Sequence, residues 1–324
     1  MPEQRLNRNI GLDLMRATEA AALAAARWMG LGLRQEAETS ASTALARVLD
    51  KLDFDGVIVV GEEQRLGALN ILPTGRRVGT GQGVAVDVLT DAIDGRRLLA
   101  RGRPGAVSVA AVTLRGAIWS PGPAVYMEKI VVCRDVARAL VPECLHAPAA
   151  WTLGLIARAR GKAVRDLVIF VLERPRHTDL INEIRAAGAR VMLADDGDIA
   201  GAVLAASPDG PVDALMGAGG AAEGVTAACA VKALGGGMLA CIAPQSEPER
   251  AAVAAAGLDR KRILTCSDLV SSDQIFFVVT GITDGLLLKG AHFNGKRATT
   301  NSLILRSETR TRRTIVAEHL LESE

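Results

Sequence analysis

Short apolar runs that stop at acidic residues constrain the fold of this chain more than any other feature. Val57-Ile-Val-Val60 carries no polar side chain and ends at Gly61-Glu62-Glu63, Val84-Ala-Val-Asp-Val-Leu-Thr90 ends at Asp91, and 106–112 alternates small and branched residues. A continuous apolar run suits a strand covered on both faces, so other layers must lie over the sheet. Helical spacing of Leu, Ala and Met over 12–29, closed by Gly30-Leu-Gly32, predicts one such cover, and a second helix is expected over about 36–52. Past Pro142 the pattern alternates: helix about 150–159, strand 166–172, helix 178–187, strand 190–193, helix 199–206, then 214–220 leading into an Ala-rich helix from Ala221. The last third predicts strands at 274–280 and 314–318, with 286–292 between them. Alternation of this kind predicts an α/β architecture with parallel sheet. No internal repeat or low-complexity linker intervenes, so a soft boundary is placed near residue 148, giving halves 1–148 and 149–324.

Composition removes several classes of function. At 324 residues the chain can bury a core of its own, and its 49% hydrophobic content is inflated by alanine while aromatics are 3%. Ala20-Ala-Ala-Leu-Ala-Ala-Ala26 is flanked by Arg16, Glu19 and Arg27 and falls far below the roughly 20 apolar residues of a membrane span. No apolar core follows the first charged residues, so no secretory leader is expected and a cytoplasmic location is. The five cysteines, Cys133, Cys144, Cys229, Cys241 and Cys266, are odd in number, scattered and without a C-x-x-C pair. They read as reduced, mostly buried thiols rather than a disulfide framework or a zinc site. A net charge of +2 from nearly balanced signs, with Arg310-Thr-Arg-Arg313 the one basic knot, gives no reason to expect nucleic acid as a partner.

The chemistry concentrates at Asp91-Ala-Ile-Asp94-Gly95-Arg96. Two carboxylates at a strand end can converge on a divalent cation, and Gly95 permits a tight turn into a helix whose N–H groups can hold a phosphate. The same residues read equally as an Asx-turn followed by an aspartate helix cap. Glu62 and Glu223 also sit at a strand end or helix start, and Glu38 lies on the second helix. Hydrolysing a phosphomonoester without a covalent intermediate calls for Mg²⁺ or Mn²⁺ to neutralise phosphate oxygens, activate water and stabilise the leaving alkoxide. Such hard cations take oxygen ligands, which a carboxylate set without His or Cys supplies. A second constellation, Arg174-Pro175-Arg176-His177, puts two guanidiniums around a φ-restricting proline, suited to gripping a phosphate or else to covering apolar neighbours. Asp196-Gly197-Asp198 can accept hydrogen bonds from sugar hydroxyls or form an ordinary turn. Gly217-Ala-Gly-Gly220 reads as a phosphate cradle or as a close helix–strand approach.

In these motifs the chain resembles the class II fructose-1,6-bisphosphatase family, the bacterial branch of the inositol-monophosphatase-like fold. The resemblance runs from Thr18-Glu-Ala-Ala-Ala-Leu-Ala and Trp28-Met-Gly to Thr311-Arg-Arg, through Asp55-Gly-Val-Ile-Val-Val-Gly-Glu62, Val78-Gly-Thr-Gly-Gln-Gly83, Tyr126-Met-Glu-Lys129, Arg174-Pro-Arg-His177, Asp196-Gly-Asp198, Gly219-Gly-Ala-Ala-Glu-Gly224 and Thr280-Gly-Ile-Thr283. It implies a layered α/β sandwich of two sheet-containing halves with the active site in the cleft between them. It also implies Glu38, Glu62, Asp91, Asp94 and Glu223 as ligands of Mn²⁺ or Mg²⁺. Asp91, Asp94 and Arg96 then stand at the catalytic positions, and Asp94, Gly95, Arg96, Tyr126, Arg174, Pro175, Arg176, Asp196, Gly197, Asp198 and Gly220 around a sugar bisphosphate. A homodimer or homotetramer is implied as well.

Departures from the family pattern cluster at the chemistry. Glu38 stands for an aspartate, Asp94 for a glutamate, Arg174 and Arg34 for lysines, Ala92 for a proline and Leu66 for an acidic residue. Arg96 replaces a threonine whose hydroxyl helps position the attacking water, and a guanidinium has donors but no acceptor and cannot act as a base. Arg96 can instead bind a substrate phosphate or form an ion pair that displaces one metal. Three functions are therefore expected as alternatives: a metal-dependent fructose-1,6-bisphosphatase, a catalytically impaired paralogue that binds a phosphosugar or an active partner, or a phosphatase for sedoheptulose-1,7-bisphosphate or another sugar or inositol phosphate.

Overall fold

The computed structural model describes residues 5–61 and 71–321. The chain forms two compact units, Met1–Ile118 together with Ser272–Glu324, and Trp119–Ser271. The boundary expected near residue 148 falls inside the second unit, and the reason lies in strand pairing. Tyr126–Val132, which the sequence reading did not assign as a strand, pairs on its two sides with Ala214–Gly220 and Gly237–Ile242. Ile275–Gly281 returns to pair with Val107–Leu114. The chain therefore leaves its first sheet after residue 114 and comes back to it at residue 275.

Among the described residues the first unit holds an eight-stranded sheet. Asp55–Val60 and Ala85–Asp94 run parallel, and the other neighbouring pairs are antiparallel. The expected helices appear a few residues early, as Ile10–Ala26 and Arg34–Leu49. Ile10, Leu14, Ala17, Ala21 and Ala25 make a buried stripe of helical period, in one core with Phe276, Val278 and Ile304. Small alanines let this helix lie close to the sheet, and hydroxyls fill the polar gaps. Thr18 Oγ1 lies 2.7 Å from Thr280 Oγ1, which lies 2.8 Å from Ser302 Oγ, all three residues fully buried. The strand Arg297–Arg306 escaped the sequence reading because its inward positions include Thr300 and Ser302, so it looks like a polar loop.

The second unit holds a six-stranded sheet in the order Leu264–Thr265, Gly237–Ile242, Tyr126–Val132, Ala214–Gly220, Val168–Leu172, Arg190–Ala194. Val168–Leu172 runs parallel to both its neighbours, as the alternating pattern predicts, with the helices Thr178–Ala186 and Asp198–Ala206 supplying the crossovers. Tyr126–Val132 runs antiparallel to both of its own neighbours. The expected parallel architecture is thus corrected to mixed sheets in both units. Parallel pairing needs a crossover of a dozen or more residues, and hairpins such as Arg297–Arg306 to Thr311–Leu320 are too tightly connected for it.

All five cysteines are free and buried. Burial pushes the Cys241 thiol up to about 11 and the Cys266 thiol to about 12, so neither forms a thiolate near neutral pH. No helix among the described residues is long and apolar enough to cross a membrane.

Candidate functional site

The strand Ala85–Asp94 carries the Asp91 and Asp94 pair, and a bulge decides where the two side chains go. Residues three apart on a regular strand point to opposite faces. Here Asp91 lies opposite Val109 and Asp94 opposite Val107, with a register shift between them. Three steps along one strand match two along its partner, so one extra residue is accommodated and both aspartates share the face of Val107 and Val109. Both are buried, at 4% exposure. Asp91 Oδ1 accepts from Ile93 N at 3.1 Å, which is the Asx-turn anticipated as one reading of the motif.

The helix cap of that reading is absent, because the N-cap of Arg96–Ala100 is Gly95 and no side chain caps it. Gly95 has φ +92°, and a Cβ there would lie 3.1 Å from Ala106 Cα and 3.2 Å from Leu98 Cδ1, so glycine is required. The expected helix is a single turn of five residues. Thr283 fixes this turn from behind: its Oγ1 donates to Arg103 O at 2.9 Å and accepts from Ala106 N at 3.0 Å. That accounts physically for part of the Thr280-Gly-Ile-Thr283 motif.

Glu38 projects from the helix Arg34–Leu49 and is 3% exposed. Arg96 Nε lies 3.7 Å from Glu38 Oε2, the arginine side chain being one-third exposed. Asp87, on the same strand as Asp91, has a different role that sequence reasoning did not single out. Its Oδ2 accepts from Ala117 N and Ile118 N at 2.9 and 3.2 Å, anchoring the chain that leaves the sheet. Glu62 and Leu66 lie outside the described residues.

Of the substrate-binding candidates, Asp94, Gly95 and Arg96 belong to the first unit and the others to the second. Arg176 Nε and Nη2 both donate to Ala218 O, at 3.1 and 2.8 Å, and its guanidinium stacks over the Tyr126 ring with 5.0 Å to the centroid. Burial, with some help from Arg174, lowers the Arg176 pKa. Arg174 Nη2 pairs with Asp196 Oδ1 at 3.4 Å. The intervening Pro175 opens the 3₁₀ turn Pro175–His177, where proline's fixed φ suits the first position. His177 Nδ1 donates to Leu172 O at 2.6 Å while Nε2 accepts from Ala218 N at 2.9 Å, which fixes the neutral tautomer and ties the arginine loop to the strand Ala214–Gly220.

Asp198 begins the helix Asp198–Ala206 after Gly197 at φ +91°. Its Oδ2 accepts from Lys129 Nζ at 2.6 Å, and Lys129 is fully buried at the centre of the sheet. Gly219 runs directly past this pair: a Cβ there would collide with the Asp198 carboxylate and lie 2.5 Å from Lys129 Nζ. Both carboxylates of the Asp196-Gly-Asp198 turn are thus placed against cations of the protein. Glu223, in the first turn of Ala221–Leu234, folds back until a Cβ on Gly220 would strike its carboxylate. An acidic residue there is favoured by the helix dipole.

Two contributors to this unit went unread. Lys129 lay within a quoted motif without a role, its length hiding it among surface lysines. Glu249 accepts from Val125 N at 2.7 Å, Tyr126 N at 2.9 Å and Gln245 N at 2.9 Å, and so positions Tyr126 from a distant helix. No local signal distinguishes it from any other helical glutamate.

The donors offered to a metal suit a hard cation. Glu38, Asp91 and Asp94 are buried oxygen donors, and Asp91 and Asp94 share one face. Among the described residues, however, no three His, Cys, Asp or Glu side chains gather closely enough to hold an ion. Asp91 and Asp94 share one strand face, while Glu38 faces a guanidinium.

The fold is a mixed α/β one, with buried carboxylates sharing a bulged strand face in the first unit and an arginine loop at a strand end in the second. The chain belongs to the family described as bacterial fructose-1,6-bisphosphatase, glpX-encoded, whose model matches residues 8–319. It is 38% identical to fructose-1,6-bisphosphatase class 2 of Haemophilus influenzae, over 98% of each chain. It is 36% identical to fructose-1,6-bisphosphatase 1 class 2 of Escherichia coli K12, over 98% of this chain and 97% of that one.

Proposed function

We propose that this protein hydrolyses the C1 phosphate of fructose-1,6-bisphosphate, giving fructose-6-phosphate and phosphate, with Mn²⁺ or Mg²⁺ as cofactor. The observation that carries this reading is the match over nearly the whole length to relatives named for that activity. The divalent cation, when bound, supplies neutralisation of phosphate charge. Asp91 and Asp94 would hold it, the bulge having placed both on one strand face. Glu62 and Glu223 are the further acidic residues that the family resemblance implies as ligands. Arg174 and Arg176 grip a phosphate as positioning groups, with the Tyr126 ring stacked against the Arg176 guanidinium. Gly220, Asp196 and Asp198 shape the sugar's surroundings. In the reaction, water oxygen bonds to phosphorus in line with the C1 oxygen, the bond from phosphorus to that oxygen breaks, and the C1 oxygen takes up a proton.

A cytoplasmic location and a homodimer or homotetramer go with this reading. One observation favours the alternative of a catalytically impaired paralogue: Arg96 lies against Glu38. The deciding experiment is phosphate release from fructose-1,6-bisphosphate with Mn²⁺ or Mg²⁺. Turnover is expected in the unaltered chain, and Asp91→Asn should abolish it. A chain that releases no phosphate but is thermally stabilised by the sugar bisphosphate would establish the paralogue instead.

A further inference from the structure

We infer that Arg96 is the resident cation of Glu38, so that the chain neutralises this carboxylate with a guanidinium and binds one divalent ion fewer than it would with threonine at position 96. The inference rests on the proposed reading of Asp91 and Asp94 as a metal-holding pair.

Glu38 is 3% exposed on a helix packed against the sheet. Burying a carboxylate at that depth is costly unless positive charge lies beside it. The structure supplies that charge from Arg96, with Nε 3.7 Å from Oε2.

The arginine is also held in place. It follows Gly95, whose positive φ and close approach to Ala106 fix where the helical turn starts, and Thr283 ties down the chain on the far side of the turn. Its side chain is one-third exposed against 4% for that of Glu38. A divalent ion at that oxygen would sit against a fixed positive charge. Coulomb repulsion between them is strong at this depth, and the guanidinium is tethered while the ion is free to leave.

Glu38 and Arg96 are, moreover, both positions at which the sequence departs from the pattern it resembles. The structure brings the two departures into contact. A glutamate is one methylene longer than an aspartate, and the added reach is available to meet the arginine.

The test is a count of Mn²⁺ bound per chain, by equilibrium dialysis or by the electron paramagnetic resonance signal of free Mn²⁺. It uses the full-length protein, Arg96→Thr, Glu38→Gln and the double variant. Arg96→Thr should bind one more Mn²⁺ per chain than the unaltered protein, and the double variant should lose that gain. Glu38→Gln alone should leave the count where it was. Without metal, Arg96→Thr should melt lower than the unaltered chain, and Mn²⁺ should raise its melting temperature by the larger increment.

An unchanged count in Arg96→Thr overturns the inference. So does loss of an ion in Glu38→Gln alone, which needs no arginine variant to fold. Phosphate release by the unaltered chain separates the two levels. Turnover with no gain of Mn²⁺ in Arg96→Thr refutes the role of Arg96 alone, whereas neither Mn²⁺ binding nor turnover in the unaltered chain refutes the hydrolytic reading and the inference with it.

Discussion

Replacing Lys129 by methionine removes the cation from a pair that the second unit has enclosed. Lys129 is fully buried and Asp198 is 6% exposed, with Nζ 2.6 Å from Oδ2. Methionine is close to lysine in length and keeps the packing, so the chief change is that the Asp198 carboxylate loses its counter-charge. Two charges taken out of water cost more than most pairs regain, but removing only one partner is worse, about 3–5 kcal/mol, because the remaining charge is stranded. For a unit the size of Trp119–Ser271, at about 2–4 °C per kcal/mol, this lowers the melting temperature by about 6–20 °C. Scanning calorimetry is the suitable assay. The double variant Lys129→Met/Asp198→Leu removes both charges and should recover most of the loss. A drop below about 2 °C in the single variant, or a double variant as unstable as the two singles combined, would refute the account of a buried pair whose members depend on each other.

His177 gives a pH dependence with a definite sign. Burial lowers its pKa below the ordinary 6.5, and its Nε2 is committed to accepting from Ala218 N, so protonation is resisted in the folded state. The stability this contributes is present above pH 6.5 and is lost as pH falls through the depressed folded value. His177→Gln, which does not titrate, should show a smaller fall in urea midpoint between about pH 7.5 and about pH 5 than the unaltered chain does, and equal falls would sink the assignment. In the first unit, Thr280→Val deletes the middle hydroxyl of the Thr18, Thr280 and Ser302 chain and should cost about 1–3 kcal/mol in chemical denaturation, with Thr280→Ser recovering most of it.

The parts of this protein legible in sequence are those whose physics is local. The strand Ala85–Asp94 was announced by its apolar run, the helix Ile10–Ala26 by its spacing, and the neighbourhood of Arg174 and Arg176 by a proline between two guanidiniums after a strand. Burial of the cysteines followed from their composition and scatter. The strand Arg297–Arg306 was not legible, because hydroxyls facing a packed helix look in sequence like hydroxyls facing water. Lys129 and Glu249 were missed for the same reason: a charged residue gives no local sign that its partner comes from a distant element.

Sequence by itself determined most of the segments that become strands and helices, though not Tyr126–Val132 or Arg297–Arg306, and the family to which the chain belongs. Tertiary structure decided which strands became neighbours, and with that the division at residues 118 and 271. It also turned Asp91 and Asp94 to one face, because a bulge exists only relative to the partner strand that it mismatches. And it put Arg96 against Glu38, since a charge pair between a helix and the turn after a strand is made by packing and has no signature in the order of residues.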